Sequence, residues 1–547
     1  MLYVRYSNSE PEKIIIDFDY IYKSQTKLHY SFNRSKYERL SDFLHRLKIK
    51  INLDIEKRLK KQKLKSLNSA ELMESFVTEA TVINEEVTCS SNLYDMPLEK
   101  TLLDKSILLI NDNKYFIIVN APIINSIKLS KYIFEGCPTL PIVSMDFGEI
   151  RDLNYEWFIT SNKKSWQLVH TGFTFIPNCD YIKKFLKLRC TCSKTSQFVE
   201  TISKDVILKS PDQKAIETRL QYTKSYTPKM NRFRIMSYNL LANIYSSSST
   251  ARDKLFRHCP YEYLNMDYRL GLLVKEIFYY HSDIICLQEV DSSIFKTILS
   301  PFFSINGFDG LFQAKDNQSM EGQAILWRKS KFTLIKDLTV KSISKLVLDD
   351  ELIHFTQIRN LIRNSPIILD QWIQLKQCMV GCIIQSVDDI RNKLIIINTH
   401  LYFRPNAEVY RFLQISAILT NIEMALKDYP DAKTILAGDF NDSRNSNTIN
   451  LILNRSVEIS NIFSNDKLGI SLSHNLLLES ACNAVFTNYI LDFANEIDYI
   501  FYDVKGLVCK TTVPFPSEED IKVGIALPNK DFPSDHLALI ADFQFKL

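Results

Sequence analysis

Strand-like alternation opens the chain. Ile14-Ile-Ile-Asp-Phe alternates apolar and polar positions and Leu28-His-Tyr-Ser-Phe answers it, so residues 1–35 are predicted to form a β-hairpin. Residues 36–65 read as a helix ending in the basic run EKRLKKQKLK. A polar stretch at 66–95 is predicted to be a loop, and Ser106–Val119 a second hairpin turning at Asn111-Asp-Asn. Between 120 and 209 lie short β runs, Leu140–Met145, Tyr155–Ile159, Phe173–Ile176 and Phe185–Cys190, whose spacing around Trp157 predicts a small β-sandwich. Residues 210–230 are polar, hold two prolines, show no apolar pattern and read as a linker.

From 232 strand-like runs alternate with helical ones. The predicted strands are Phe233–Tyr238, Ile284–Leu287, Ala324–Trp327, Leu394–Ile397, Thr434–Ala437, Tyr499–Phe501 and Leu537–Phe543. Helical spacing recurs over 267–280 and 408–427. This is an α/β domain of about 315 residues, large enough to bury an extensive core. The predicted organisation is an N-terminal α+β and β region over 1–119, a β domain over 120–209, a linker over 210–230 and the α/β domain over 231–547.

Composition changes this picture little. With 547 residues, two to four domains are expected. The hydrophobic share of 46%, charged share of 24% and only 12 glycines describe a globular chain and exclude collagen-like and low-complexity classes. A net charge of +4 permits a nucleic-acid partner without arguing for one. The basic run (Lys57, Arg58, Lys60, Lys61, Lys63, Lys65) reads as a solvated helix face or loop, with RNA phosphate contact as the alternative. Eleven cysteines are scattered, and neither Cys190/Cys192 nor Cys378/Cys382 has a partner pair at zinc-finger spacing, so reduced buried thiols and no disulfide-linked partner are expected. No apolar run approaches the ~20 residues that span a bilayer, and no membrane partner is expected. The segment MLYVRYSNSEPEKIIIDF carries Glu10 and Glu12 and alternates like a strand, unlike a secretory or transit signal.

The chemistry lies in polar clusters, each following an apolar run: Ser-Tyr-Asn at 237–239, Leu-Gln-Glu at 287–289, Asn-Thr-His at 398–400, Gly-Asp-Phe-Asn at 438–441, Ile-Asp-Tyr at 497–499 and Ser-Asp-His at 534–536. They bring carboxylates, amides and two histidines together without a cysteine. A phosphodiester repels nucleophiles, so an enzyme must neutralise its charge, activate water and stabilise the leaving oxygen. Carboxylates at buried strand ends, such as Glu289 and Asp439 with Asn441, suit magnesium. Gly438 is expected to let the backbone turn and approach a ligand. His400 can donate to a phosphate oxygen, and Asp535 beside His536 could fix a tautomer or hold an imidazolium. Each cluster alone is weak; their order and strand-end placement together are not.

These residues resemble the endonuclease/exonuclease/phosphatase superfamily. Within it the chain is similar to the carbon-catabolite-repressor-type deadenylase branch, and most of all to 2′,5′-phosphodiesterases, in MSYNLLANIYS (236–246), DIICLQEVD (283–291), WRKSKFTL (327–334), NTHLY (398–402), GDFN (438–441), FTNYILDFANEIDYIFYD (486–503) and PSDHLALI (533–540). The resemblance extends upstream through Cys137-Pro and Trp157. It implies two packed β-sheets flanked by helices. It implies Glu289 as the principal magnesium ligand with Asn239 nearby, Asp439 orienting or deprotonating water near a second magnesium, and Asn441 on metal or phosphate. His400 and His536 would bind the scissile phosphate, Asp498 would complete the site, and Asp535 would support it. Manganese could substitute for magnesium. Phe493 and Pro405 would sandwich a terminal adenine. The implied activity is release of 5′-AMP from 2′,5′-oligoadenylate and from 3′ poly(A) ends of RNA; the alternatives are another diester (phosphoinositide, sphingomyelin or abasic DNA), a non-catalytic RNA-binding module, and N-terminal domains acting as an independent interaction platform. The same resemblance implies the mitochondrial matrix, with the cytoplasm as alternative.

Overall fold

The computed structural model describes residues 1–6, 10–22, 26–61, 76–83, 93–224, 231–316, 320–459 and 470–546. The chain divides into two compact units, one of Met1–Ser126, Ser144–Asn154 and Thr191–Val199, the other of Ile127–Val143, Tyr155–Cys190 and Glu200–Leu547.

In the first unit the predicted hairpin forms. Strands Lys13–Tyr22 and Thr26–Ser35 pair antiparallel, with Phe18 opposite Tyr30. They belong to a six-stranded sheet that also contains Leu2–Tyr6, the second predicted hairpin (Ile107–Ile110 with Asn113–Val119) and Ala80–Ile83. Helix Leu40–Lys61 buries Leu40, Phe43, Leu44, Leu47, Ile51 and Ile55, spaced three or four apart, in the core it shares with that sheet. Strand Ala80–Ile83 corrects the loop expected over 66–95. Residues 62–75 and 84–92, and with them Lys63 and Lys65, lie outside the described residues.

Two further expectations change. In place of a small sandwich, the strands Gln167–Thr171, Leu153–Thr160, Phe185–Cys192 and Phe198–Ile202 lie in that order in one four-stranded sheet. The expected linker contains helix Lys214–Lys224. Its buried positions are Ile216, Arg219, Leu220 and Thr223. That is helical spacing, but an arginine and a threonine occupy half of it, so a hydrophobic pattern does not register.

The α/β region of the second unit holds two six-stranded sheets. The first runs Phe308–Ala314, Glu321–Arg328, Ile284–Asp291, Arg232–Asn239, Leu539–Phe545, Leu507–Thr512; the second runs Phe332–Asp337, Met379–Ser386, Lys393–His400, Lys433–Asp439, Asp498–Asp503, Leu478–Ser480. One core cluster takes Phe233, Ile235, Ile284, Cys286, Ile325 and Trp327 from the first sheet, and Val380, Cys382, Ile384, Leu394, Ile396, Ile435 and Ile500 from the second. The sheets therefore pack face to face. The other face of the second sheet (Met379, Ile383, Ile395, Ile397, Leu436, Phe501) shares a core with helix Glu408–Asp428 and the shorter helices 343–348, 356–363, 366–372 and 447–454. Both faces of Lys393–His400 are thus dry, which is why Leu394-Ile-Ile-Ile is a continuous apolar run. The two-sheet α/β expectation is borne out. Among the described residues no helix is long and apolar enough to cross a membrane.

Candidate active site

Each sheet has one parallel pair at its centre, joined by a crossover helix. Arg232–Asn239 runs parallel to Ile284–Asp291, with Asn239 level with Gln288. Lys393–His400 runs parallel to Lys433–Asp439, with His400 level with Asp439. Parallel strands end on the same side, so each pair delivers two polar termini to one edge. The antiparallel neighbours deliver their starts: Asp498 lies opposite Asp439, and Leu539, three residues after His536, lies opposite Ser237.

The side chains converge on one atom. Asp439 Oδ2 lies 3.0 Å from Asn239 Nδ2, 3.6 Å from His400 Nε2 and 3.7 Å from His536 Nε2. Asn239 Nδ2 also lies 3.3 Å from Glu289 Oε1, so a single amide bridges both carboxylates. Glu289 Oε2 accepts the Ala242 N–H at 2.9 Å. His536 Nδ1 lies 2.8 Å from Asp498 Oδ2, which also accepts the Thr487 hydroxyl at 2.6 Å. The histidine contacts to Asp439 are too long for good hydrogen bonds, and a bound oxygen can be shared between them. Backbone strain marks the same place. Glu289 adopts φ 52°, Asn441 φ 51° and Leu241 φ 56°, and the register slips between Leu287 and Val290. A bulge of this kind re-aims a side chain at a strand end.

Burial dominates the electrostatics. Burial, then Asp535 and Glu321, push the Glu289 carboxyl up to about 7. Burial and Asp498 push Asp439 to about 7 as well. Burial, Lys315 and His536 drive His400 well below the usual imidazole range, so it is neutral at pH 7. Burial opposes the His536 imidazolium, but Asp498, Asp535 and Asp439 outweigh it and hold its pKa well above the usual range. The site thus presents one neutral imidazole, one imidazolium and two carboxylates that are costly to ionise without a cation.

Several motif residues serve the scaffold. Gln288 Nε2 donates to Asn398 Oδ1 at 2.7 Å and to Ser237 Oγ at 3.1 Å. Asn398 Nδ2 donates to the Leu287 and Ala324 carbonyls, both at 2.9 Å. This buried lock ties the two sheets together beneath the site. Ser534 Oγ donates to the Asn239 carbonyl at 2.7 Å, tethering the His536 loop to the first sheet.

Three expected roles need correction, and the geometry narrows a fourth, that of Asn441, to one atom. Asn239 turns its nitrogen toward the carboxylates, while its oxygen accepts the Leu241 N–H at 3.0 Å, so it organises the acids and offers no oxygen to a metal. Asp498, not Asp535, holds His536; Asp535 accepts from Asn488 Nδ2 at 3.2 Å and acts on His536 only through its charge. Gly438 admits a neighbouring strand, not a ligand: at φ 143° an added Cβ would lie 1.9 Å from the Thr399 carbonyl oxygen. Asn441 commits its Nδ2 to the Leu401 carbonyl at 3.0 Å and its N–H to Asp439 Oδ1 at 2.9 Å, leaving only its side-chain oxygen for a metal or phosphate. Phe493, in the hairpin Asn488–Asn495, is 43% exposed, and Pro405 is exposed on the loop after Leu401. Neither is a core residue.

Some contributors carried no readable sequence signal. Arg269, fully buried in helix Met266–Tyr279, donates to the carbonyls of Leu240, Leu241, Leu264 and Pro533 and so fixes the loops flanking Asn239 and His536. Arg411 pairs with Asp442 at 3.0 Å and donates to the carbonyls of Tyr402 and Arg404, shaping the Pro405 loop. Lys315 pairs with Glu321 at 2.5 Å, and Glu321 accepts the Tyr245 hydroxyl at 2.9 Å. For Arg269 the only hint was a charge on the apolar face of a helix.

The Endonuclease/Exonuclease/phosphatase family matches residues 236–536, from the first polar cluster to His536. The chain belongs to this family. The 2′,5′-phosphodiesterase 12 of Rattus norvegicus is 31% identical over 473 residues, covering 81% of this chain and 77% of the relative. The CCR4-Not complex 3′-5′-exoribonuclease subunit Ccr4 of Saccharomyces cerevisiae is 28% identical over 339 residues, covering 57% of this chain and 39% of the relative. Among solved structures, ANGEL2, a 2′,3′-cyclic phosphatase, in complex with adenosine-2′,3′-vanadate gives a TM-score of 0.49 at 20% identity over 58% of this chain and 98% of that one. The expected family and branch are borne out. This family member is a hydrolytic enzyme of the phosphodiesterase class.

Proposed function

We propose that the protein is a divalent-metal-dependent phosphodiesterase that releases 5′-AMP from adenylate chain ends, both 2′,5′-linked oligoadenylate and the 3′ poly(A) end of RNA. The observation that carries this reading is the extent of similarity. The match to the rat 2′,5′-phosphodiesterase takes in 81% of the chain, whereas the yeast exoribonuclease takes in 57%. The larger share must reach well upstream of the catalytic match.

The donor set fits a hard cation. Glu289, half-buried, and Asp439, buried, are carboxylates gathered around one amide, both pushed to about 7 by desolvation and neighbouring acids, and a divalent ion would relieve that cost. Glu289, Asp439 and the Asn441 oxygen would hold magnesium or manganese. A bound magnesium supplies charge that neutralises the diester and acidifies water. Asp439 Oδ2 takes the proton from the attacking water. His536, kept cationic by Asp498, donates from Nε2 to a phosphate oxygen, and neutral His400 donates a second hydrogen bond. Exposed Phe493 and Pro405 hold the terminal adenine. The resemblance to 2′,5′-phosphodiesterases favours residence in the mitochondrial matrix; co-fractionation of the endogenous protein with a protease-protected matrix marker is the expected result, and an endogenous protein confined to the cytosolic fraction would count against it.

A substrate panel tests the reading. Purified protein with magnesium is offered matched 2′,5′- and 3′,5′-triadenylates, a phosphoinositide, sphingomyelin and abasic DNA. Release of AMP from an adenylate substrate alone is expected; preferential cleavage of any other member contradicts it.

A further inference from the structure

The four-stranded sheet of residues 153–202 has an unusual outer face. Along Phe185–Cys192 the inward residues Leu186, Leu188 and Cys190 are fully buried, and the outward ones are Phe185, Lys187 and Arg189. Along Leu153–Thr160, Tyr155, Trp157 and Ile159 fill the core while Glu156 and Phe158 face out. Leu168, paired with Phe158 in register, is 48% exposed. Solvent-facing strand positions are ordinarily polar, whereas Phe158 and Phe185 stand half-exposed on this face.

Cations interleave with the rings. Lys187 Nζ lies 4.7 Å from the Phe158 centroid and 5.0 Å from that of Trp166. The Arg189 guanidinium lies 5.5 Å from Phe158, and Lys163 Nζ 3.9 Å from Phe185. Lys163 and Lys164 are exposed on a tight turn, fixed by Asn162 Oδ1 accepting the N–H groups of Lys164 and Ser165 at 2.9 and 3.2 Å. Glu200 pairs with Lys187 and Arg189, and Glu156 lies 3.8 Å from Arg189, so four cations face two carboxylates and Lys163 and Lys164 supply the excess.

We propose that this aromatic and basic sheet face binds single-stranded RNA, holding the body of an adenylate strand whose end is cleaved at the Asp439–His536 site. Bases stack on the half-exposed rings of Phe158, Phe185 and Trp166 and on the Arg189 plane whatever their sequence, and the exposed Lys163 and Lys164 track the phosphates. Charge complementarity favours a polyanion, and the rings favour one that carries bases. The inference rests on the adenylate reading for its substrate, but binding tests it separately from turnover.

The full-length protein is titrated against a fluorescent (A)30 RNA in EDTA over a range of salt, and its turnover of 2′,5′-triadenylate is measured with magnesium. Two variants are compared, Lys163→Glu/Lys164→Glu on the exposed turn and Phe158→Thr/Phe185→Thr on the strands. The lysine variant is expected to bind (A)30 at least fivefold more weakly, with the logarithmic salt slope reduced by about 1.4 at about 0.7 per phosphate contact. The phenylalanine variant is expected to lose about tenfold with the slope unchanged. Both should turn over triadenylate like the wild type. Unchanged (A)30 affinity in both variants overturns the inference, and so does tighter binding of polyglutamate than of (A)30, which would mark an acidic protein partner. A wild type that binds (A)30 through this face but cleaves no adenylate leaves the inference standing and removes the proposed function.

Discussion

Replacing Glu289 by glutamine should abolish turnover and yet stabilise the metal-free protein. Burial and the nearby acids raise this carboxyl from the usual 4.5 to about 7. At about 1.4 kcal/mol per pKa unit, ionising it in the folded state costs about 3 kcal/mol. A group whose folded pKa is raised contributes stability fully present below its unfolded pKa and lost as pH rises through the folded value. The wild type without metal should therefore weaken between pH 4.5 and 7, and Asp439 adds to the trend. Glutamine can still accept the Ala242 N–H and carries no charge to bury. Urea titration in EDTA at pH 8, followed by tryptophan fluorescence, should find Glu289→Gln more stable by up to about 3 kcal/mol, with the difference vanishing near pH 4.5. Magnesium should close the gap from the wild-type side, by about 2.7 kcal/mol at a hundred times its dissociation constant. A variant equally or less stable than wild type at pH 8 in EDTA refutes the idea that these carboxylates are held ready for a cation.

His536 and Asp498 should behave as one unit: His536→Asn and Asp498→Asn are each expected to lower kcat about 10²–10³-fold, and the double variant little further, in single-turnover assays. Multiplicative losses would mean the two act independently. Arg219 donates to the carbonyls of Pro514 and Ala538 and lies 3.8 Å from buried Glu276, so Arg219→Leu should cost about 3–5 kcal/mol in chemical denaturation; a loss under 1 kcal/mol would show that helix Lys214–Lys224 is no brace. Phe493→Ala should raise KM for oligoadenylate by about 1–3 kcal/mol equivalent while leaving bis(p-nitrophenyl) phosphate unaffected; equal effects would remove the stacking role.

The sequence made strands legible where both faces or one face are dry. Leu394-Ile-Ile-Ile and Ile284-Ile-Cys-Leu could hardly be anything else, and the polar residue closing each run had to stand at a sheet edge. The make-up of the candidate site followed from this: Glu289, His400, Asp439, Asp498 and His536 all meet. Less legible was which member of each cluster does chemistry. Ser237, Gln288 and Asn398 are polar like their neighbours in the candidate site but turn inward to lock the sheets, and only the pairing register distinguishes them. The Asp535 assignment failed because sequence adjacency says nothing of direction; successive side chains point apart, and the partner of His536 comes from another strand. Helix Lys214–Lys224 escaped because its buried face is half polar. Arg269 and Arg411 escaped because they act on carbonyls of distant loops, which no local pattern encodes.

The most direct measurement is AMP release from 2′,5′-triadenylate with magnesium by the wild type and by Asp439→Ala, the latter first verified as folded by circular dichroism. The wild type should release AMP, and the variant should retain no more than a few per cent of that rate. A silent wild type, or a variant that keeps a substantial rate, contradicts the assignment of adenylate-end hydrolysis to the atoms gathered around Asp439.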